Sequence, residues 1–170
     1  EVSFRAKAWT NVFYNLMNCD DLTPATRLLI LTSLPDHAHY ARNFHAQGNW
    51  LTMEMSGLAA LASAFPEFKE SSSWLDYTKQ TMTESLREQV YPDGAQTELT
   101  SSYHQVALGN FDLFRKTLQR TNGQLPSFFD EQLEKMWNYQ AYIMRPDGFG
   151  LLNNDADLIN NRERIINAAS

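Results

Sequence analysis

Cysteine is nearly missing from this chain: Cys19 is the only one in 170 residues. An intrachain disulfide and a thiolate metal cluster are therefore excluded. Glycine and proline are sparse too, at 7 and 6. That argues against an all-β sandwich, whose many turns need them. There is no apolar run of about 18 residues or more, so no segment reads as a membrane span. No signal peptide is visible. Cations are outnumbered, with 14 Lys and Arg against 20 Asp and Glu, for a net charge of −6. No basic patch marks a nucleic-acid binder. The same average charge repels an acidic polysaccharide, so binding one would need local positive residues, or polar groups set against its carboxylates.

What is present describes a soluble helical protein. Hydrophobic residues make up 43% and charged residues 20%, a globular composition, and the length suits one domain with a real core. The chain begins at Glu1 rather than Met and in mid-pattern, so it is expected to be a piece of something longer. Periodicity is helical almost throughout. Residues 4–18 carry Phe4, Ala8, Val12 and Leu16 at helical spacing. Thr23 and Pro24 read as N-cap and first helical residue of a segment reaching about Phe44, with Pro35 as a kink or break and Gly48 as the stop. Residues 50–64 are apolar nearly all round, as in a helix buried on most sides. Residues 71–91 place Trp74, Met82, Leu86 and Val90 on one face. Pro92-Asp93-Gly94 is a turn by composition. Residues 98–120 follow with Tyr103, Val106, Phe111, Phe114 and Leu118. Asn122-Gly123 and Pro126 separate them from residues 127–144, and Pro146-Asp147-Gly148 precedes a last helix over 155–168. The expected fold is all-α, a run of antiparallel helical hairpins. Seven or so helices are too few to close a ring.

The informative stretch runs from Gly48-Asn49-Trp50 to His104. It contains an Asn with an aromatic residue after it, opening a helix of small residues. Then come Phe65-Pro66-Glu67, Trp74, Gln89-Val90, Asp93-Gly94, Glu98, Ser101-Ser102 and Tyr103-His104. In that order and spacing, over roughly 37–115, the chain resembles the helical domain of heparinase II/III-type polysaccharide lyases and related alginate lyases. The resemblance implies part of an incomplete (α/α) toroid, followed in the parent by a C-terminal β-sandwich domain that is not in this sequence. It implies β-elimination on an acidic, uronic-acid-containing polysaccharide and a periplasmic or secreted location; no cofactor is expected, and no metal site among the residues of this chain. The active site would lie between the two domains, and the sandwich side would supply a His, so this chain would hold an incomplete site.

A lyase removes the weakly acidic C5 proton of a uronic acid and expels the oxygen at C4. Donors aimed at the sugar carboxylate stabilise the charge that develops. By resemblance, Asn49 fills that role, and Tyr103 takes the C5 proton or protonates the leaving oxygen, with His104 beside it as the third catalytic candidate. A phenol with its ordinary pKa of about 10 needs a nearby positive charge or donor to act as a base. Trp50, Glu54, Glu98 and His45 are the candidate substrate-binding residues. Each has a plainer reading. Asn49 suits an N-cap, Tyr103 a core aromatic with its hydroxyl at the surface, His104 a structural histidine, Trp50 core packing, and Glu98 a cap. Glu54 lies in an apolar helix and needs a partner or an open cleft. His37 and His39 lack the i, i+4 spacing of a helical metal pair. The loop Asn153-Asn154-Asp155-Ala156-Asp157 falls near the cleft by resemblance, and it lacks the Gly and terminal Glu of an EF-hand. Two other functions fit less of the sequence. One is an (α/α)-barrel glycoside hydrolase using Asp93 and Glu98; the other is a non-catalytic helical module binding glycan or protein.

Overall fold

The computed structural model describes residues 2–121 and 123–169. Asn122, half of one anticipated breaker, lies outside the described residues. Seven α-helices are found among them: α1 (Val2–Asn15), α2 (Pro24–Asn43), α3 (Gly48–Ala64), α4 (Ser71–Gln89), α5 (Ser101–Arg120), α6 (Ser127–Tyr142) and α7 (Asn161–Ala169). The only β-pairing among the described residues is two isolated bridges, Val90 with Gln96 and Phe149 with Asn160. The all-α class expected from periodicity is borne out. The chain divides into two compact units, Glu1–Met82 with Phe114–Gln124, and Thr83–Leu113 with Leu125–Ser170.

In the first unit, α1 packs on both α2 and α3. The face it uses differs from the anticipated one. Phe4 is 56% exposed and Leu16 is also exposed, whereas Ser3, Ala6 and Thr10 are buried. Small side chains win because α1 approaches α3 closely. A Cβ added at Gly57 of α3 would sit 2.6 Å from Ser3 Cβ and 2.8 Å from the Ser3 carbonyl oxygen. The end of α1 meets the end of α3 through aromatics. Tyr14 stacks on Phe65 with centroids 5.3 Å apart, and its hydroxyl donates to the Ala64 carbonyl at 2.5 Å.

Helix α2 starts as anticipated. The Thr23 hydroxyl accepts from the Thr26 amide at 3.2 Å, and Pro24 occupies the first turn. Pro35 does not split it, since one helix runs from Pro24 to Asn43. Gly48 is not its stop either. α2 ends at Asn43, and Gly48 opens α3 in the left-handed region with φ of 62°. The burial expected of α3 holds for Met55, Leu58, Ala59, Leu61 and Ala62 but not for Trp50, which is 56% exposed.

The second unit starts from the end of α4. Trp74 and Met82 in the first unit and Leu86 and Val90 in the second are all buried, as the shared face required. Pro92-Asp93-Gly94 turns the chain, with Asp93 Oδ1 accepting from the Ala95 amide at 3.0 Å. α5 begins at Ser101, three residues later than anticipated, and its buried stripe is His104, Ala107, Leu108 and Phe111. Val106 faces outward. α7 packs on α6 and begins at Asn161 rather than 155, because the preceding residues are held by α5 instead.

Gly57→Ala tests the α1–α3 approach. Helix propensity alone would favour alanine by about 1 kcal/mol. Pushing backbone atoms apart costs about 1–3 kcal/mol, and the obstructing Ser3 oxygen is backbone. The variant is expected to be less stable in urea unfolding; equal or greater stability would refute the contact.

Candidate functional site

The anticipated site residues fall into two groups, one in each unit. In the first unit they surround the start of α3. Asn49 is the second residue of that helix, and only 5% exposed. It is not the N-cap. Gln47 holds that position in extended backbone and makes no side-chain cap bond. The Asn49 carbonyl accepts from the Thr52 hydroxyl at 2.6 Å. Trp50, next in sequence, points its ring to solvent. Glu54 has the partner its setting demanded: its Oε2 accepts from the Ala46 amide at 2.7 Å. The carboxylate thereby fastens the α2–α3 loop to α3.

That loop carries His45. Its Nδ1 lies 3.0 Å from the Ala46 carbonyl, an acceptor only, so Nδ1 carries the proton in the neutral ring. Nε2 then accepts from the Tyr77 hydroxyl at 2.7 Å. The Tyr77 ring also lies under Arg42, whose Cζ is 5.2 Å from its centroid, and Arg42 Nη1 donates to Ser73 Oγ at 2.7 Å. Arg42, His45, Ser73 and Tyr77 form one connected surface between α2 and α4. His37 bonds back to the Ser33 carbonyl at 2.7 Å, and His39 Nδ1 faces Asn43 Nδ2 at 3.2 Å. Among the described residues, no group of three His, Cys, Asp or Glu side chains is placed to hold a metal ion.

In the second unit the focus is the first turn of α5. Thr100, not Glu98, supplies the cap: its hydroxyl accepts from the Tyr103 amide at 3.0 Å. Glu98 is exposed, and its amide donates to Gln96 Oε1 at 2.8 Å while its own Oε1 accepts from Gln96 Nε2 at 3.2 Å. The late loop is fastened to the same turn. Asn153 accepts from the Ser101 amide at 3.2 Å and donates to the Leu99 carbonyl at 2.6 Å. Asn154 donates to that carbonyl at 3.0 Å, and the Asp157 amide donates to Ser102 Oγ at 2.7 Å. Tyr103 is half-buried at the centre of this arrangement.

His104 is sequestered. It is 2% exposed, its Nε2 donates to the Met136 carbonyl at 3.1 Å, and its ring packs against Tyr139 with centroids 5.0 Å apart. Nδ1 is buried without a partner among the described residues. Burial, with a smaller contribution from the Arg164 charge, holds its pKa down to about 4, against the opposing effect of the Met136 bond. Behind it, Gln105 donates to Asn161 Oδ1 at 2.6 Å, and Arg164 donates to Gln105 Oε1 at 3.1 Å and to its carbonyl at 2.8 Å. These bonds fix α7 to α5.

The model of the heparinase II/III N-terminus matches residues 1–169. The chain belongs to the heparinase II/III family. It is 31% identical over 173 residues to a heparin-sulfate lyase of Bacteroides stercoris, covering 98% of this chain and 26% of that protein. It is 30% identical to a heparin-sulfate lyase of Pedobacter heparinus, covering 86% of this chain and 23% of the other. A solved heparinase III superposes with a TM-score of 0.87 at 28% identity, over 99% of this chain and 27% of that one. The heparan sulfate lyase HepC from Pedobacter heparinus gives 0.81 at 27% identity, with the same two coverages of 99% and 27%. The chain thus spans about a quarter of the length of the relatives it matches. This likeness carries the reading of the fold as a helical segment of the heparinase toroid.

Tyr77, Arg42 and Ser73, which join His45 in that connected surface, carry no signal in the sequence. They lie on two helices about 30 positions apart in the chain, with no motif to join them.

His104 gives a measurable consequence. Above about pH 6.5 the ring is neutral both folded and unfolded. Between about 6.5 and 4 the unfolded chain takes up a proton that the folded chain refuses, so stability falls as pH falls through that window and levels off below it. The loss reaches roughly 3 kcal/mol. His104→Gln keeps an amide donor for Met136 and removes the titration. Urea unfolding between about pH 7 and pH 4 is expected to show a shallower decline in the variant. Parallel declines would contradict a buried neutral histidine.

Proposed function

We propose that this chain supplies the Asn and Tyr of a polysaccharide lyase that cleaves a uronic-acid-containing glycan by β-elimination. The observation that carries the reading is the match, over nearly the whole chain, to proteins named heparin-sulfate lyase. A sulfated glycosaminoglycan is accordingly favoured over alginate as the substrate class. In the reaction, the Asn49 amide donates to the sugar carboxylate as negative charge builds there. The Tyr103 oxygen, as phenolate, takes the C5 proton. The C5–H electron pair forms the C4–C5 double bond, the C4–O bond breaks, and the departing oxygen takes a proton from an acid such as the same phenol.

The surroundings of Tyr103 suit a group that must hold one orientation. Its amide is capped by Thr100, and the turn beside it is fastened by Asn153. Trp50 is open to stack on a sugar ring. His45 and Glu54 hold the loop before Asn49, and the exposed Glu98 is left as a candidate for sugar hydroxyls. His104, almost wholly buried and bonded to the Met136 carbonyl, is read as a structural residue between α5 and α6 rather than a catalytic one. A histidine acting on the sugar is then assigned to a β-sandwich domain of the full-length protein, and the location to the periplasm or outside the cell. The hydrolase alternative is weakened by Asp93, whose carboxylate is engaged in its own turn.

Tyr103→Phe in the full-length protein is expected to lower the rate of elimination by at least about a hundredfold. The readout is the near-ultraviolet absorbance of the unsaturated product, with glycan affinity largely kept. Asn49→Ala is expected to cost about 10²–10³. Full activity in the phenylalanine variant would remove Tyr103 from the chemistry, and saturated products from the wild type, lost on changing Asp93, would discard the lyase in favour of the hydrolase.

A further inference from the structure

The surface joining Arg42 to Tyr77 opens on a cavity of about 550 Å³ lined by Arg42, Lys69, Ser72, Ser73, Asp76 and Tyr77. The elimination chemistry uses none of them. Arg42 stands in the last turn of α2, Lys69 lies between α3 and α4, and the others come from the first turns of α4. The guanidinium is held at two points, by the bond to Ser73 Oγ and by the Tyr77 ring. The serine bond engages one of the five N–H donors of an arginine. A fork fixed in advance loses little freedom on binding, and its geometry matches the paired oxygens of a carboxylate or sulfate.

The sign of the charge favours such a guest. Asp76 is the one carboxylate in the lining, and its Oδ1 is paired with Lys79 Nζ at 3.2 Å. Arg42 and the exposed Lys69 therefore set the local potential, against a net chain charge of −6. The hydroxyls of Ser72 and Ser73 add donors. The cavity is also tied to the Asn49 turn within the same unit, since Tyr77 donates to His45 and the loop carrying His45 leads into α3.

We propose that this cavity is a subsite for an anionic substituent, a sulfate ester or a uronate carboxylate, on the glycan that the lyase cleaves. The proposal rests on the functional reading above and adds to it the residues that would counter the charge of the substrate. The test titrates full-length wild type, R42Q/K69Q and K69Q with two uronate-containing oligosaccharides of equal length, one sulfated and one not, by calorimetry. The double variant is expected to bind the sulfated chain about tenfold more weakly and the single variant about threefold. A greater loss for the sulfated chain assigns the subsite to sulfate, and an equal loss for both assigns it to carboxylate. Undiminished affinity for both chains overturns the subsite. Should R42Q/K69Q melt below wild type, K69Q decides alone by the same criterion, because its side chain is exposed. Following unsaturated product in the same samples separates the two readings. Binding without elimination removes the lyase and leaves the subsite; elimination with unaltered binding in the variants does the reverse. A wild type that binds neither oligosaccharide overturns both.

Discussion

The amide groups that open α5 are partly buried, and satisfying them dictates much of the second unit. The first amides of any helix lack intrahelical acceptors, and a buried donor left unpaired costs about 1–3 kcal/mol. Here Thr100 accepts from the Tyr103 amide and Asn153 from the Ser101 amide. The second bond reaches 52 residues along the chain, so capping α5 and folding the late loop are one event. Leu99, with φ of 55°, turns its carbonyl to meet both Asn153 and Asn154. This explains why α7 begins late: residues that could have extended it are spent on α5. It also explains how an unremarkable tyrosine is held with its backbone fixed on two sides.

The interior behind that turn is more polar than a helical core needs to be. Thr100, Ser101, His104, Gln105 and Asn161 are all buried. Arg164 completes the layer, its pKa lowered by burial and partly restored by Asp112. Replacing such a layer by hydrocarbon is often neutral or stabilising, whereas half of it is worse than none. Apolar side chains could slide along α5; bonded ones cannot. The layer sets one register for α5, α6 and α7, and Tyr103 inherits that register.

Much of this was legible in the sequence, and the failures have identifiable causes. Period and breakers located every helix, because Pro24, Pro66 and Pro126 end or begin segments by backbone chemistry alone. The face of α1 was misread because a stripe of large apolar residues normally marks the buried side; close approach at Gly57 reversed that preference, and only the partner helix reveals it. Gly48 was misread because a left-handed glycine serves a helix start as well as a stop. Glu54 was legible as a residue needing a partner, but the partner was a backbone amide, which has no sequence signature. The Arg42–Tyr77–His45 surface was invisible for the same reason, as it exists only once α2 and α4 are placed together.

Net charge was the sequence feature that most opposed an anionic ligand, and the structure shows why it decides little. Interactions between exposed charges fade over about 8 Å at physiological ionic strength, so acidic residues elsewhere on the surface barely reach a given cavity. What a bound sulfate or carboxylate would feel is set by groups within a few ångströms, and there the Asp76 carboxylate is already matched by Lys79. The energy of such contacts depends more on fixed geometry than on the number of charges, since an exposed pair between flexible side chains is worth about 0–1 kcal/mol. Arg42 differs from an ordinary surface cation in this respect. Ser73 fixes one edge of its guanidinium and Tyr77 one face, and the phenol that supports it is itself oriented by His45. A chain that is acidic overall can therefore present a directed cationic fork at one place, provided neighbouring side chains hold that fork still.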